Sequence, residues 1–429
     1  MSVISNNNLY YSNRSGSEEL IHKFYIDNLG VARLRTDGNL IFNGVVDVAS
    51  NAMKNEYQNA GIYTVSFPDL ETISGSYALS YFISGDTNLT SILFPSLETI
   101  TGSYALEYLC NGDTNLDTID FSSLTNISSY SMQYAFYGCF RLSEADFSNL
   151  TSVPSYSMRY VFYNCTSLSE VDFSSLTSIG SYGLYYAFQN CTNLTSISFP
   201  ELTTVEAAGL KEAFRGCSKL VSASFPKLTD VRSVDNNCGG LQSAFYGVTS
   251  LKSISIPSLV TIAYRDGLDS ICYNCTGLET IDMSSLKTIS TTDGMYVAFR
   301  GCTSLTSVEF PELETLSGGY AFANIFEGCT NLESISLPKL KEATGDWALA
   351  AAFAGCTKLT TISFPSLQSV RNNAFGNNSA SYAYQKGMFL NCSALTEIHF
   401  PAAIQSSIEA MTNYSAKWGA SNATIYFDL

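Results

Sequence analysis

The sequence predicts an α/β solenoid of about fourteen similar turns, with a parallel sheet on one face and short helices on the other. Two observations lead to this fold class. A leucine-led segment recurs through most of the 429 residues, mostly at steps of 26 or 27 residues. Each copy also joins a strand-like pattern to a helix-like pattern. The copies begin at Leu89, Leu116, Leu142, Leu168, Leu194, Leu220, Leu251, Leu278, Leu305, Leu332, Leu359 and Leu395, with weaker copies at Ile62 and Ala423.

The first part of each copy predicts a short strand. In the copy that begins at Leu194, Ile197 and Phe199 alternate with polar residues, so that one side of the segment faces a core. Leu202 and Val205 then bend the chain over that core. Strands repeated in this way line up as a parallel sheet when the turns stack.

The second part of each copy predicts a short helix. Leu184, Ala187, Phe188 and Cys191 follow the i, i+3, i+4, i+7 spacing that places side chains on one helix face. The same spacing recurs in neighbouring copies. Neither the strand nor the helix can bury its apolar side alone, so stacking of the turns must provide the core.

The motif of this repeat is Leu-x-x-Ile-x-Phe-Pro-x-Leu-x-x-Ile, followed by Ala-Phe-x-x-Cys-Thr-x-Leu. It resembles the BspA-like leucine-rich-repeat proteins over roughly residues 46–429. The resemblance implies a leucine-rich-repeat fold. It also implies a binding role, because members of that family are mostly bacterial surface or secreted proteins that adhere to host proteins or other cells. It does not identify the ligand.

Three regions are predicted. Residues 1–45 form a polar N-terminal segment and a β-hairpin cap, residues 46–400 the solenoid, and residues 401–429 a C-terminal capping helix and last strand. The hairpin is predicted because two alternating apolar stretches flank an Asp-Gly pair at 37–38. The alternative for this N-terminal segment is attachment to a larger assembly.

The cysteines are predicted to be free thiols in the core. Of the twelve, nine lie three residues before a repeat leucine, and Cys110 and Cys272 occupy the place of a core phenylalanine. Stacked side chains run parallel, which disfavours disulfide geometry. Asp86, Asp113 and Val248 occupy the same place in other turns, which a required bond would not allow. Cys238 lies in an insertion and is the candidate for an exposed thiol.

Composition and motifs disfavour catalysis and nucleic-acid binding. The two histidines, His22 and His399, stand at opposite ends of the solenoid, and no Gly-rich phosphate loop follows a strand. We therefore predict no enzymatic activity, catalytic residue, cofactor or metal. The net charge of -16 disfavours nucleic acid, because phosphates require a basic surface.

The first candidate binding surface is acidic and lies on the predicted sheet. Its carboxylates come from neighbouring turns, and we call this set the acidic sheet face: Asp120, Asp146, Asp172, Glu144 and Glu170. Like charges one strand apart repel. Either water hydrates them, or a cation or a basic partner relieves the repulsion. Calcium would lack a recognisable ligand loop here.

The second candidate surface is aromatic. Tyrosines recur at the corner before the predicted helix and again within it, at positions that do not point inward. We call the following set the tyrosine face: Tyr104, Tyr108, Tyr130, Tyr134, Tyr156, Tyr160, Tyr182 and Tyr186. Tyr77 and Tyr81 extend the two columns by one turn. Tyrosines supply contact area at low entropic cost, but they could equally pack on one another and shield the core.

These observations favour a binding or adhesion protein that recognises a protein or a carbohydrate on a target cell. The alternative is a structural or receptor-binding component of a phage particle or another assembly. No stretch is apolar enough to span a membrane, and residues 1–11 do not resemble a signal peptide. We expect an extracellular, cell-surface or virion location, while a chain with its signal removed and a cytoplasmic protein stay open.

Overall fold

The structure of the protein is a computed structural model that describes residues 3–4, 38–234, 238–378, 381–382 and 385–429. It divides into two units, one of Met1–Phe199 with Gly216–Lys219 and the other of Pro200–Arg215 with Leu220–Leu429. Both units are made of the same turn, which contains two short strands and a longer segment of consecutive β-turns. The predicted solenoid of about fourteen turns with parallel sheets is confirmed.

The first strand of each turn is three residues long and pairs in parallel with its equivalent in the next turn. Its central residue points into the core, because successive side chains in a strand alternate between the two faces. In the first unit these strands are Asn39–Ile41, Thr64–Ser66, Ser91–Leu93, Thr118–Asp120, Glu144–Asp146, Glu170–Asp172 and Ser196–Ser198. In the second unit they are Ser222–Ser224, Ser253–Ser255, Thr280–Asp282, Ser307–Glu309, Ser334–Ser336, Thr361–Ser363, Glu397–His399 and Thr424–Tyr426.

A second, two-residue strand follows in most turns, and the sequence did not predict it. It falls where Leu202 and Val205 were expected only to bend the chain over the core. In the first unit these strands are Val3–Ile4, Asp47–Val48, Thr72–Ile73, Thr99–Ile100, Asn126–Ile127, Ser152–Val153 and Ser178–Ile179. In the second unit they are Thr204–Val205, Asp230–Val231, Thr261–Ile262, Thr288–Ile289, Thr315–Leu316, Glu342–Ala343 and Ser369–Val370.

The prediction of a short helix in every turn is wrong. Every fourth residue of the corresponding segment has a positive φ, as at Tyr77 (56°), Tyr81 (55°) and Gly85 (80°). An α-helix requires φ near −60° throughout, so this backbone cannot be helical. The predicted inward positions are nevertheless correct, because Leu184 and Phe188 are both fully buried. Consecutive turns with a four-residue repeat bury the same positions as a helix would.

The hydrogen bonds explain what replaces the helix. Alternate N–H groups donate to the next turn, for example Leu79 to the carbonyl of Ala105 at 2.8 Å and Tyr81 to that of Glu107 at 2.9 Å. The N–H groups between them close β-turns within the segment, as Phe82 does to the carbonyl of Leu79 at 3.1 Å. The backbone polar groups are thus satisfied between turns rather than within a helix.

The ends of the chain differ from the regular turns. The first half of the predicted N-terminal hairpin lies outside the described residues, and Asn39–Ile41 pairs in parallel with Thr64–Ser66, before residue 46. Near the C-terminus, the 3₁₀ helix Ala402–Ile404, the α-helix Gln405–Glu409 and the 3₁₀ helix Tyr414–Gly419 precede the last strand. Ser233–Val234 and Cys238–Gly239 form a small antiparallel pair. In the part of the chain that the structure describes, no helix has the length and apolar character to cross a bilayer.

Phenylalanine columns fill the core of the first unit. Phe67, Phe94 and Phe121 stack on one another at centroid distances of 5.2 Å. Phe188 is fully buried and stacks on Phe162 at 5.7 Å. Each ring therefore depends on its neighbours in adjacent turns for its packing.

The cysteines form a second core column, as predicted. All twelve are free, and eleven are buried, whereas Cys238 is partly exposed. Each repeat thiol donates to a carbonyl of the preceding turn, as Cys165 does to that of Phe136 at 3.1 Å and Cys191 to that of Phe162 at 3.2 Å. Burial raises the pKa of these thiols, which keeps them protonated and able to donate.

Two turns place an aspartate where the others place cysteine. Oδ2 of Asp86 accepts from the N–H of Ile62 at 2.7 Å, and Oδ1 of Asp113 accepts from the N–H of Asp86 at 2.6 Å. Both residues are buried. Burial raises the pKa of the Asp113 carboxyl group to about 8. An unfolded aspartate has a pKa of about 3.9, so the folded state binds this proton more tightly.

Replacing Phe188 by Ala should lower the free energy of unfolding by about 3 to 5 kcal/mol, because it leaves a cavity between stacked turns. The measurement is the urea denaturation midpoint. Phe140, which is 44% exposed, provides the matched control, and Phe140→Ala should have little effect. Equal midpoints for Phe188→Ala and the native chain would contradict the core assignment.

The raised pKa of Asp113 predicts a pH dependence. Its contribution to stability is fully present below about pH 4 and is lost as the pH rises through about 8, because ionisation is unfavourable in the folded state. Asp113→Asn should therefore raise the urea midpoint at about pH 8, with an advantage that shrinks as the pH falls towards about 5. Asp117→Asn changes an exposed carboxylate and serves as the control. The same pH profile in both variants would refute the assignment.

Candidate functional site

The acidic sheet face is assembled much as the sequence suggests. Glu144 lies directly opposite Glu170, and Asp146 lies directly opposite Asp172, in two paired strands of the first unit. All four residues are exposed, whereas Asp120 is partly buried. The carboxylates thus form a short, hydrated ridge of like charge.

The aspartates of this face also have a local structural role. Oδ1 of Asp146 accepts from the N–H of Ser148 at 2.8 Å, and Oδ1 of Asp172 accepts from the N–H of Ser174 at 2.8 Å. Asp120 makes the equivalent bond to Ser122 at 3.1 Å. Each aspartate therefore caps the turn that follows its strand. Across the described ranges, no three His, Cys, Asp or Glu side chains are grouped so that they could hold a metal ion.

The tyrosine face consists of two continuous stacks in the first unit. In the corner column, successive ring centroids from Tyr77 to Tyr182 are 4.9, 5.1, 5.0 and 4.8 Å apart. In the second column, from Tyr81 to Tyr186, they are 4.5, 4.6, 4.8 and 5.1 Å apart. All of these tyrosines are half-buried, so the rings pack on one another while part of each remains accessible.

The backbone determines how these rings are presented. All ten tyrosines have a positive φ, between 54° and 66°. That conformation is unfavourable by roughly 1 to 2 kcal/mol for a residue with a Cβ atom, so something must offset it at every position. Stacking at the spacing between turns provides such a contribution, about 0.5 to 1.5 kcal/mol per ring pair. The result is a rigid aromatic surface.

Further side chains extend the tyrosine face beyond the predicted residues. Tyr137 and Tyr163 stack at 4.8 Å, and the guanidinium group of Arg159 lies 5.1 Å from the ring of Tyr160 and 5.2 Å from that of Tyr185. Burial raises the pKa of Tyr108 to about 12, so its hydroxyl stays protonated at neutral pH and can donate a hydrogen bond. The surface therefore combines aromatic area, phenolic donors and one cation.

Sequence reasoning missed a cleft in the second unit. Asp266 and Asp293 occupy the corner position that Tyr320 and Trp347 occupy in later turns, with the same positive φ of 57° and 58°. The smaller side chains leave a cavity of about 470 Å³. The available signal was the loss of the aromatic residue at two successive repeats, but the cavity itself depends on side-chain packing. The cavity is lined by Gln242, Arg265, Asp266, Asp269, Thr292, Asp293, Tyr296 and Tyr320.

The repeated turns and parallel strands define a leucine-rich-repeat β-solenoid. The family model for the BspA type leucine rich repeat region, which contains six copies, matches residues 50–185, 131–266, 184–325, 267–382 and 323–416. The chain belongs to this family, as the resemblance in its motif indicated.

Comparison with solved structures finds other bacterial leucine-rich-repeat proteins. One from Bacteroides ovatus is 23% identical over 75% of this chain and 82% of its own, with a TM-score of 0.42. A leucine rich cell surface protein from Faecalibacterium prausnitzii is 18% identical over 94% of this chain and 91% of its own, with a TM-score of 0.37. An internalin from Listeria monocytogenes is 16% identical over 79% and 80%, with a TM-score of 0.28. No curated protein matches the chain.

Proposed function

We propose that this chain is a non-enzymatic adhesion protein that binds a protein or a glycan on a cell surface through the tyrosine face. The observation that best supports this role is the pair of parallel tyrosine stacks, with ring spacings of 4.5 to 5.1 Å. Tyrosine is enriched at binding surfaces because it offers large amphipathic contact area with few rotatable bonds. Rings already held by stacking lose little further entropy on binding.

The tyrosine face is a better candidate than the acidic sheet face. The aspartates of the sheet face cap the turns after their strands, which accounts for their presence without a ligand. Exposed charges contribute little to affinity individually and are screened by salt. The stacked tyrosines, in contrast, maintain an unfavourable backbone conformation in five successive turns of the first unit. We infer that the sheet face has at most a supporting role.

The proposal of a non-enzymatic role rests on the titratable groups. His399 is the one histidine within the described ranges, and its Nδ1 lies 2.9 Å from Oδ1 of Asp428. The repeat cysteines are buried and their pKa values are raised by burial, which disfavours a reactive thiolate. The proposed location, on or outside a cell, follows from the habits of the family that the repeat motif resembles. The alternative of a particle component has no observation of its own to favour it.

The test combines binding assays with paired substitutions. The labelled full chain is titrated onto a panel of cultured animal cells and onto an array of glycans. Tyr134 and Tyr160 are then both replaced by Asn, which tolerates their left-handed backbone better than most residues. We expect saturable binding by the native chain and a loss of affinity of at least about tenfold in the variant, as for a hot spot of adjacent aromatics.

The matched control is a stacked pair in the second unit. Tyr246 and Tyr273 lie 5.0 Å apart, and replacing both by Asn removes a similar aromatic contact. This control should bind like the native chain. Equal binding by the native chain and the Tyr134/Tyr160 variant would refute the proposal, as would loss of binding only when Asp120, Asp146 and Asp172 are replaced by Asn.

A further inference from the structure

The cleft in the second unit has properties of a ligand site that are independent of the tyrosine face. Asp266, Asp269 and Asp293 come from two successive turns and line one cavity of about 470 Å³. Tyr296 and Tyr320 line the same cavity. This volume is within the range of small-ligand pockets.

Asp266 is a buried carboxylate without a hydrogen bond. The residue is only 7% exposed, and no residue within the described ranges donates a hydrogen bond to its carboxylate. The nearest cationic atom is Nε of Arg265, at 3.7 Å, which is too long for a hydrogen bond. Arg265 directs its Nη2 to Oδ2 of Asp293 instead, at 3.1 Å. Burial, together with the charges of Asp269 and Asp293, raises the pKa of Asp266 to about 6.

A second acceptor in the cleft also lacks a partner. Nε2 of Gln242 donates to Oδ2 of Asp269 at 2.9 Å, which fixes the orientation of the amide. Its Oε1 is buried and has no hydrogen-bond partner among the described residues. Ser270 supplies the other hydrogen bond to Asp269, at 2.7 Å. The cleft therefore has a surplus of acceptors, and a buried acceptor left unpaired is costly.

The charges of the cleft are also unbalanced. Three carboxylates face two cations, Arg265 and Lys211, and Lys211 lies with its Nζ 3.8 Å from the sulfur of Cys238. When all groups are ionised, one negative charge is uncompensated. A ligand with one positive charge and several N–H donors would balance the charge and satisfy the acceptors.

The aromatic walls favour an organic cation. Burial raises the pKa of Tyr296 to about 12, so its ring stays neutral and can face a cation at physiological pH. Tyr320 is held in part by Nε2 of Gln385, which lies 3.2 Å from its hydroxyl oxygen. We propose that the cleft around Asp266 binds an ammonium or guanidinium group. Two sources have this chemistry: a small free amine, or a lysine or arginine side chain of a partner protein.

The test measures binding of simple amines to the full chain. The probes are n-butylamine, Nα-acetyl-lysine amide and Nα-acetyl-arginine amide, with 1-butanol and glucose as neutral comparisons, followed by calorimetry or ligand-observed NMR. We expect saturable binding of at least one cationic probe and none of the neutral ones. Similar affinities for butylamine and acetyl-lysine amide indicate a free amine, whereas tighter binding of an amino-acid derivative indicates a protein side chain. Either result supports the proposal.

Substitutions locate the site. Asp266→Asn retains a side chain that accepts the left-handed backbone but removes the charge, and it should weaken binding of the cationic probe at least about tenfold. Asp146→Asn, on the acidic sheet face, is the matched control and should bind normally. Gln242→Ala provides a second variant that leaves Asp266 in place, and it should weaken binding without changing the charge. Binding to the native chain should also weaken between about pH 7.5 and 5, because protonation of Asp266 removes the attraction.

Three results would overturn the proposal. The first is no saturable binding of any cationic probe. The second is an equal loss in Asp266→Asn and Asp146→Asn, which would indicate attraction by overall charge. The third is preferential binding of glucose, which would assign the cleft to a neutral sugar. Circular dichroism of each variant verifies that the chain is folded.

Discussion

The backbone hydrogen bonds between successive turns are the interaction on which the rest of each unit depends. They connect the short strands, and they continue through the β-turn segments, where alternate N–H groups donate to the following turn. Because these bonds fix the spacing between turns, equivalent side chains in neighbouring turns must lie about 5 Å apart. A residue type that tolerates its own kind as a neighbour can then repeat along the whole stack.

Each column of the structure solves that requirement in its own way. Phenylalanines stack face to face in the core, and cysteines place a small thiol that donates to the preceding turn. The outer corner is occupied by tyrosine in the first unit, where stacking offsets a positive φ. Where aspartates replace the aromatic residue in the second unit, the column opens into a cleft. Binding surfaces in this fold thus arise from what a column contains, or from where its pattern is interrupted.

Much of this architecture could be predicted from the sequence, because the repeat gives many aligned copies of one pattern. The period located the first strand of the turns and the inward positions such as Phe188. The buried, free state of the repeat cysteines followed from their shared position. The helix prediction failed because a chain of β-turns buries side chains at the same spacing as a helix, so burial periodicity cannot separate the two. The decisive feature, a positive φ at Tyr81 and its equivalents, is unusual for tyrosine and has no signal in hydrophobic pattern.

The candidate sites were predicted less completely. The columns of tyrosine and aspartate could be identified by alignment, but their assignment as binding surfaces stays a prediction. The roles of Asp146 and Asp172 in capping turns required hydrogen-bond geometry. The cleft around Asp266 required knowledge of which side chains leave space and which acceptors stay unpaired. The first half of the predicted N-terminal hairpin lies outside the described residues.

The most direct test of this account is amide hydrogen exchange measured by mass spectrometry on the native chain. If bonds between turns sustain the fold, the β-turn segments 104–112, 130–138 and 156–164 should exchange about as slowly as the adjacent strands, although they contain no helix. Rapid exchange of these segments beside protected strands would contradict the account. It would show that the tyrosine columns are not supported by a continuous hydrogen-bond ladder.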